Sequence, residues 1–210
     1  VNLLAITQKA NKLAGIQGSI ISLTTLTGYQ AILLAHVQTA YEDIQNYRDE
    51  WHFLKTQVTI PLTTVTSTYD PADAVAKWDF FNILYDSKPL QVISYDQYIQ
   101  DKISTTTAGA PSVVAVDPST NILYFNPLDN NYSIVAKYWK TPETLSGNND
   151  IPLLPYEFHN LIVYRSVADF AAFLGNTGLY QIYTQKANTM FGKLLRSQNP
   201  SKHIKLRRAV

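Results

Sequence analysis

Four histidines, His36, His52, His159 and His203, and a scatter of carboxylates are the residues here that could do acid–base or metal chemistry. Their spacing argues against both. Zinc sites usually draw on ligand pairs a few residues apart, but His36 and His52 are sixteen apart and no His-x₃-His or Glu-rich ligand pattern surrounds them. His36 and Asp43 stand seven positions apart and would share a helix face, but no nucleophile can be assigned to them. Cysteine is absent, so thiolate metal sites and disulfides are excluded, and the redox compartment is not revealed. The chain has no Gly-x-Ser-x-Gly elbow, and its 8 glycines form neither a phosphate loop nor a dinucleotide fingerprint. The acid–amide stretches "DPADA" (70–74) and "DNN" (129–131) lack the spacing of an EF-hand and read as turns. The expectation is a protein that is not an enzyme and uses no cofactor and no metal.

The charged residues point elsewhere. Only 16% of the chain is charged, against roughly 25% in ordinary globular proteins. Tyrosine occurs 14 times, and tyrosine is favoured where proteins meet. A neutral, tyrosine-rich surface suits burial in an assembly. The net charge of +1 hides an asymmetry. Lys202, Lys205, Arg207 and Arg208 crowd the C-terminal end with no acid among them. Removing those four from the 17 bases leaves 13 against 16 acids. Nucleic-acid binding by a broad basic stripe is therefore not expected. No apolar run approaches the roughly 20 residues of a membrane helix, and the opening "VNLLAITQKANKLAG" does not read as a signal peptide. A soluble intracellular origin and no membrane partner are the expectation.

The elements follow from periodicity. Leu3, Ile6, Ala10 and Leu13 predict a helix over 3–14, stopped by Gly15. Leu33, Val37, Tyr41, Ile44, Tyr47, Trp51 and Leu54 predict a second helix over 29–54. Glu42, Asp43, Asp49 and Glu50 lie largely off that stripe, as a solvated face would. Residues 56 to about 145 read as β, beginning with the alternating "TQVTIPL" and containing one short helix at 96–104. Strands at 112–116, 121–125 and 132–139, with turns between, predict an antiparallel meander. Helical spacing returns after Pro155 with Phe158, Leu161, Ile162, Arg165, Ala168 and Ala172. Gly175 and Gly178 flank a turn, and a last helix over 179–196 carries Ile182, Met190 and Leu194 on one side. The fold class expected is α+β: a helical bundle from 1–55 and 150–198, an antiparallel β-domain inserted at 56–149, and an extended basic tail at 199–210. No glycine or proline separates the second helix from the first strand, so Trp51 and Phe53 are expected to pack there and fix the junction.

"AYEDIQNYRDEWHFLKTQVTI" resembles the hallmark of head-to-tail adaptor (connector) proteins of short-tailed double-stranded DNA phages, through Ala40, Tyr41, Ile44, Gln45, Trp51, Phe53 and Leu54. A second stretch is similar to the family's Pro-bearing strands and following helix, through Leu123, Phe125, Pro127, Tyr132, Tyr138, Pro142, Leu145, Asp150, Pro152, Leu154, Pro155 and His159. The resemblance covers most of residues 1–196. It implies a homo-oligomeric ring, usually of twelve copies, between the portal and the tail nozzle protein. Double-stranded DNA would pass through it without sequence-specific binding. It places the protein in the virion at the head–tail junction, made in the host cytoplasm. It also implies a C-terminal segment reaching the portal, here Lys202, Ile204, Lys205, Leu206, Arg207 and Arg208. A helix face with Glu42, Asp43, Asp49 and Glu50 is then expected at the channel or an inter-subunit groove. The competing readings are a head-completion connector of a long-tailed phage, a stand-alone binding module for carbohydrate or peptide, and a cell-wall hydrolase.

Overall fold

The computed structural model describes residues 1–71, 75–104 and 108–199. The chain is mixed α and β, and it divides into two compact units, one from Val1–Phe53 with Glu143 onward and one from Leu54–Pro142.

The first unit holds four of the helices. Helix α1 (Leu3–Leu13) starts on Asn2, whose side chain accepts from the Ala5 N–H at 3.0 Å. It ends as expected at Gly15, whose φ of 72° lets the Gly15 and Ile16 N–H groups fold back onto the carbonyls of Lys12 and Asn11. Helix α2 (Gly28–Asn46) buries Leu33, Val37, Ala40, Tyr41 and Ile44. Helix α4 (His159–Phe173) packs on α1, on α2 and on α5 (Thr177–Gln198). Three neighbours explain why α4 is apolar on most sides, with Val163, Val167, Phe170 and Ala171 buried beside Leu161, Ile162 and Ala168. The expected stripe caught only part of this face, and it included Ala172, which is exposed. Gly175, at φ 70°, reverses the chain between α4 and α5. Gly178 lies inside the first turn of α5 rather than at the turn's edge.

On α5 the buried side carries Tyr183, Ala187 and Leu194. Ile182, expected on that side, is 52% exposed. The phenol ring of Tyr183 wins the inward position because it packs on Tyr164 at 5.9 Å and under the Lys186 ammonium at 4.8 Å, burying more area than isoleucine would.

The second unit is built from two four-stranded sheets. One has the order β1 (Lys55–Leu62), β8 (Tyr132–Lys140), β3 (Val75–Tyr85), β4 (Lys88–Pro89). The other has the order β2 (Thr68–Tyr69), β7 (Leu123–Phe125), β6 (Val113–Val116), β5 (Gln91–Val92). Pairing is antiparallel except between β5 and β6. Ile60, Leu62, Trp78, Ile83, Ile134 and Ala136 of the first sheet share one core with Val114, Leu123 and Phe125 of the second. The Trp78 indole N–H donates to the Asn121 carbonyl at 2.8 Å and the Asn121 amide donates to Val75 O at 3.0 Å, which ties the two sheets by hydrogen bonds. Helix α3 (Tyr95–Ser104) follows β5.

The three strands expected as a meander are present as β6, β7 and β8, but they do not form one. Only β6 and β7 pair with each other, and β8 crosses to the other sheet, where it pairs with both β1 and β3. A nine-residue strand gains more ladder hydrogen bonds between two long neighbours than beside three-residue β7. The "DNN" turn holds itself together: Asp129 accepts from the Tyr132 hydroxyl at 2.5 Å and pushes that phenol up to about 12. Of "DPADA", residues 72–74 lie outside the described residues.

Candidate functional site

The first unit is closed by a segment with no regular structure, Glu143–Leu154, which runs along α2. Its backbone has no strand beside it, so its polar groups need other partners. Three residues of α2 at helical spacing supply them. Gln45 accepts from the Glu143 N–H at 3.1 Å and donates to the Glu143 carbonyl at 2.9 Å. Gln38 donates to the Leu145 carbonyl at 2.7 Å. Tyr41 donates its hydroxyl to the Glu143 carboxylate at 2.8 Å and accepts from the Leu153 N–H at 2.9 Å. Burial, followed by that carboxylate, drives the Tyr41 phenol well above its ordinary range, so it is a fixed donor.

The same segment organises the N-terminal end of α1. The Asp150 and Asn148 carbonyls accept from the Leu3 and Leu4 N–H groups, which have no partner inside the helix. The Asp150 carboxylate collects the N–H groups of Gly147 and Ser146 at 2.7 and 2.8 Å, and these donors hold it below the usual carboxylate range. A Cβ at Gly147 would stand 2.9 Å from that carboxylate, so a side chain there would have to displace it. His159 is buried, with Nε2 at 2.8 Å from the Leu154 carbonyl. Burial lowers its pKa, so the ring is neutral and acts as a clasp rather than as an acid or base.

At its other end, α2 stops earlier than expected. The last helical hydrogen bond runs from the Tyr47 N–H to Asp43, and the helix ends at Asn46 instead of continuing to Leu54. Trp51 caps this end. Its indole N–H donates to the Gln45 carbonyl at 3.0 Å, giving a partner to one of the carbonyls that the helix end leaves open. A 3₁₀ turn at His52–Leu54 then leads into β1. Trp51 is 0% exposed and stacks on Phe53, ring centres 5.3 Å apart. Phe191 of α5 meets Trp51 at 6.4 Å and Tyr47 at 4.8 Å, both edge-on. The Phe53 N–H donates to Gln198 at 3.1 Å and Arg48 donates to Asn199 at 3.1 Å, so the end of α5 is fastened to this turn.

These clamps involve the residues that carried the family resemblance, and the match extends beyond them. The model of the SU10 adaptor protein family matches residues 2–205. The chain belongs to the SU10 adaptor protein family. It is a structural phage adaptor and thus a virion component. No curated protein matches it closely.

The acids singled out in the sequence of the adaptor do not share one helix face. Glu42 is half-buried on α2, and Asp43 is exposed there and pairs with Arg165 of α4 at 3.1 Å. Asp49 and Glu50 are exposed on the turn after the helix. His36 sits edge-on to Phe170 at 6.3 Å; His52 is exposed. Among the described residues, no three His, Asp or Glu side chains lie together as a metal site. No helix among them is long and apolar enough to cross a membrane. Lys202, Ile204, Lys205, Leu206, Arg207, Arg208 and His203 lie outside the described residues. Sequence reasoning missed the work of Gln38, Gln45 and Glu143. The available signal was a glutamine, Gln45, on the inward side of α2 next to Ile44, where an uncharged amide needs a bonded partner.

Beside the Asp43–Arg165 pair, Asp169 of α4 is half-buried. Burial raises its pKa, and the neighbouring Arg165 and His36 oppose this while Asp43 adds to it. A carboxyl with a raised folded pKa is better tolerated when protonated, so its effect on stability worsens as pH rises through that value. Asp169→Asn is expected to raise the melting temperature at pH 7. The gain should vanish below the ordinary Asp range, where both proteins are neutral at this position. Melting curves from pH 3 to 8 check it, and a variant less stable than the parent at pH 7 would show that the charge is favoured.

Proposed function

We propose that twelve copies of this adaptor form a ring between the portal of a short-tailed double-stranded DNA phage and its tail nozzle, extending the DNA channel. The observation that carries this reading is the family match from residue 2 to residue 205. One feature supports it. Exposed Tyr29, Tyr47, Tyr156 and Tyr180 supply large contact area at low entropic cost, and few charges must be stripped of water when copies meet. In this reading Asp43, Asp49 and Glu50, with Glu42, face the channel or a groove between subunits, where acids keep DNA from adhering. The portal is reached by the basic end of the chain, Lys202, Ile204, Lys205, Leu206, Arg207 and Arg208.

The test is assembly. The adaptor mixed with the portal protein of the same phage should give a particle whose mass steps by whole rings. A chain lacking residues 201–210 should melt like the parent and bind the portal at least about tenfold more weakly, because four charges and two apolar anchors are lost. Docking with unchanged affinity and salt dependence would remove the tail as the anchor. A strict monomer that binds glycan instead would replace the ring with a binding module.

A further inference from the structure

Strand β3 carries a projection that the fold of the second unit does not need. In the ladder with β8, Trp78 pairs with Tyr138 and Ile83 with Ala136. Four residues, Asp79–Asn82, therefore stand opposite the single residue Lys137. An ordinary bulge sets two residues against one. The excess backbone is held in a defined shape from beneath. Asp79 is buried, paired with Lys55 of β1, and accepts from the Asn82 side-chain amide at 2.8 Å. Above this clasp the chain displays two adjacent phenylalanines, Phe80 at 39% and Phe81 at 88% exposure. Scattered apolar residues on a surface are unremarkable, but a pair lifted out of a ladder by a buried ionic clasp is a built feature.

A receptor of matching chemistry lies on the other sheet of the same unit. Beside β6 and α3 is a cavity of about 340 Å³, lined among the described residues by Ile93, Val113 and Pro127 and by Tyr98, Asp101 and Asn126. A void of roughly 150 Å³ already holds benzene. Two of the polar lining groups are engaged elsewhere. Asn126 accepts from the N–H groups of Ser112 and Val113 and donates to the carbonyls of Ala110 and Pro127. Tyr98 donates to the Phe125 carbonyl at 2.9 Å. A phenyl ring entering there would not deprive those groups of partners. Val114 points into the shared core, so its neighbour Val113 points away from it. The cavity thus opens on the outer side of one sheet, whereas Phe81 projects from a strand of the other. A ring of identical copies is closed by contacts between two different surfaces of each copy, repeated around the axis.

We propose that Phe81 of one subunit seats in this cavity of its neighbour, making the second unit a plug-and-socket element of the ring. The proposal rests on the ring reading above. The natural chain has no cysteine, so introduced thiols report cleanly. Phe81→Cys and Val113→Cys subunits, each folded by melting curve, are mixed, assembled with the portal and oxidised. A disulfide-linked dimer formed only from the mixture is expected. The double variant should give a ladder of linked chains. Phe81→Ala should melt like the parent, since the ring is in water in the single chain, and should need about tenfold or more protein to assemble. If the mixture assembles, at raised protein concentration, but gives no such dimer, the socket is wrong and the ring reading stands. Cross-linking of Phe81→Cys to the portal instead would assign the projection to that partner and overturn the proposal. If the parent forms no ring alone or with the portal, the ring reading itself fails and this inference falls with it.

Discussion

Trp51→Ala is expected to cost about 3–5 kcal/mol, the range for deleting a large buried aromatic. The substitution removes the ring that Phe53 and Phe191 pack on and leaves the Gln45 carbonyl without the indole donor. For a chain of this size the melting temperature should fall by ~10 °C or more. Trp51→Phe separates the two contributions. It keeps most of the packing and loses the hydrogen bond, so a smaller loss of about 1–2 kcal/mol is expected. Urea unfolding followed by far-UV circular dichroism measures both. An alanine variant with the parent's midpoint would mean that Trp51 is not a packing centre.

Gln45→Ala should be nearly as damaging, at about 2–5 kcal/mol, because two backbone groups of Glu143 lose their partner in a half-buried place. The loss should also be local. Amide exchange at Glu143 and Leu145 should accelerate more than in the middle of α4. Gln45→Glu gives the sharper test. A carboxylate keeps the acceptor for the Glu143 N–H but turns a lone pair toward the Glu143 carbonyl. Its folded pKa should rise, so the variant should be weakest at neutral pH and recover as the pH falls and the acid regains a proton to donate. A Gln45→Glu protein as stable as the parent at pH 7 would show that the amide is not clamping this segment.

Local signals told most about the elements whose causes are local. Gly15 stops α1 because only a residue at positive φ permits the backbone to fold back there. The α3 helix and the strands β6, β7 and β8 were legible from period and turn residues alone. What could not be read depended on distant partners. The stripe of α2 continued through Tyr47 and Trp51 to Leu54, yet the helix ends at Asn46, and the Gln45 carbonyl left open there is met by a side chain that periodicity alone would have placed on the same helix. The meander failed because β8 is placed by the length of β1 and β3, which lie far away in sequence. On α5 both Ile182 and Tyr183 fitted a plausible stripe, and Tyr164 of another helix decided between them. Of the site, the motif residues were visible as a pattern, but their work was not. Tyr41 and Gln45 looked like parts of a helix and turned out to hold the segment that returns to it.

Lys55 pairs with Trp139, so the strands by which the chain enters and leaves the second unit are immediate neighbours, about 5 Å apart. A unit whose two ends emerge side by side behaves as a cassette. Lengthening a hairpin within it, or exchanging it for another module with the same paired ends, leaves the path of the helices untouched. Added length is then best tolerated in the exposed turns of this unit, away from its core of Trp78, Ile83, Val114, Leu123 and Phe125, while the sequence around Gln45, Glu143 and Asp150 is constrained by the backbone it must hold.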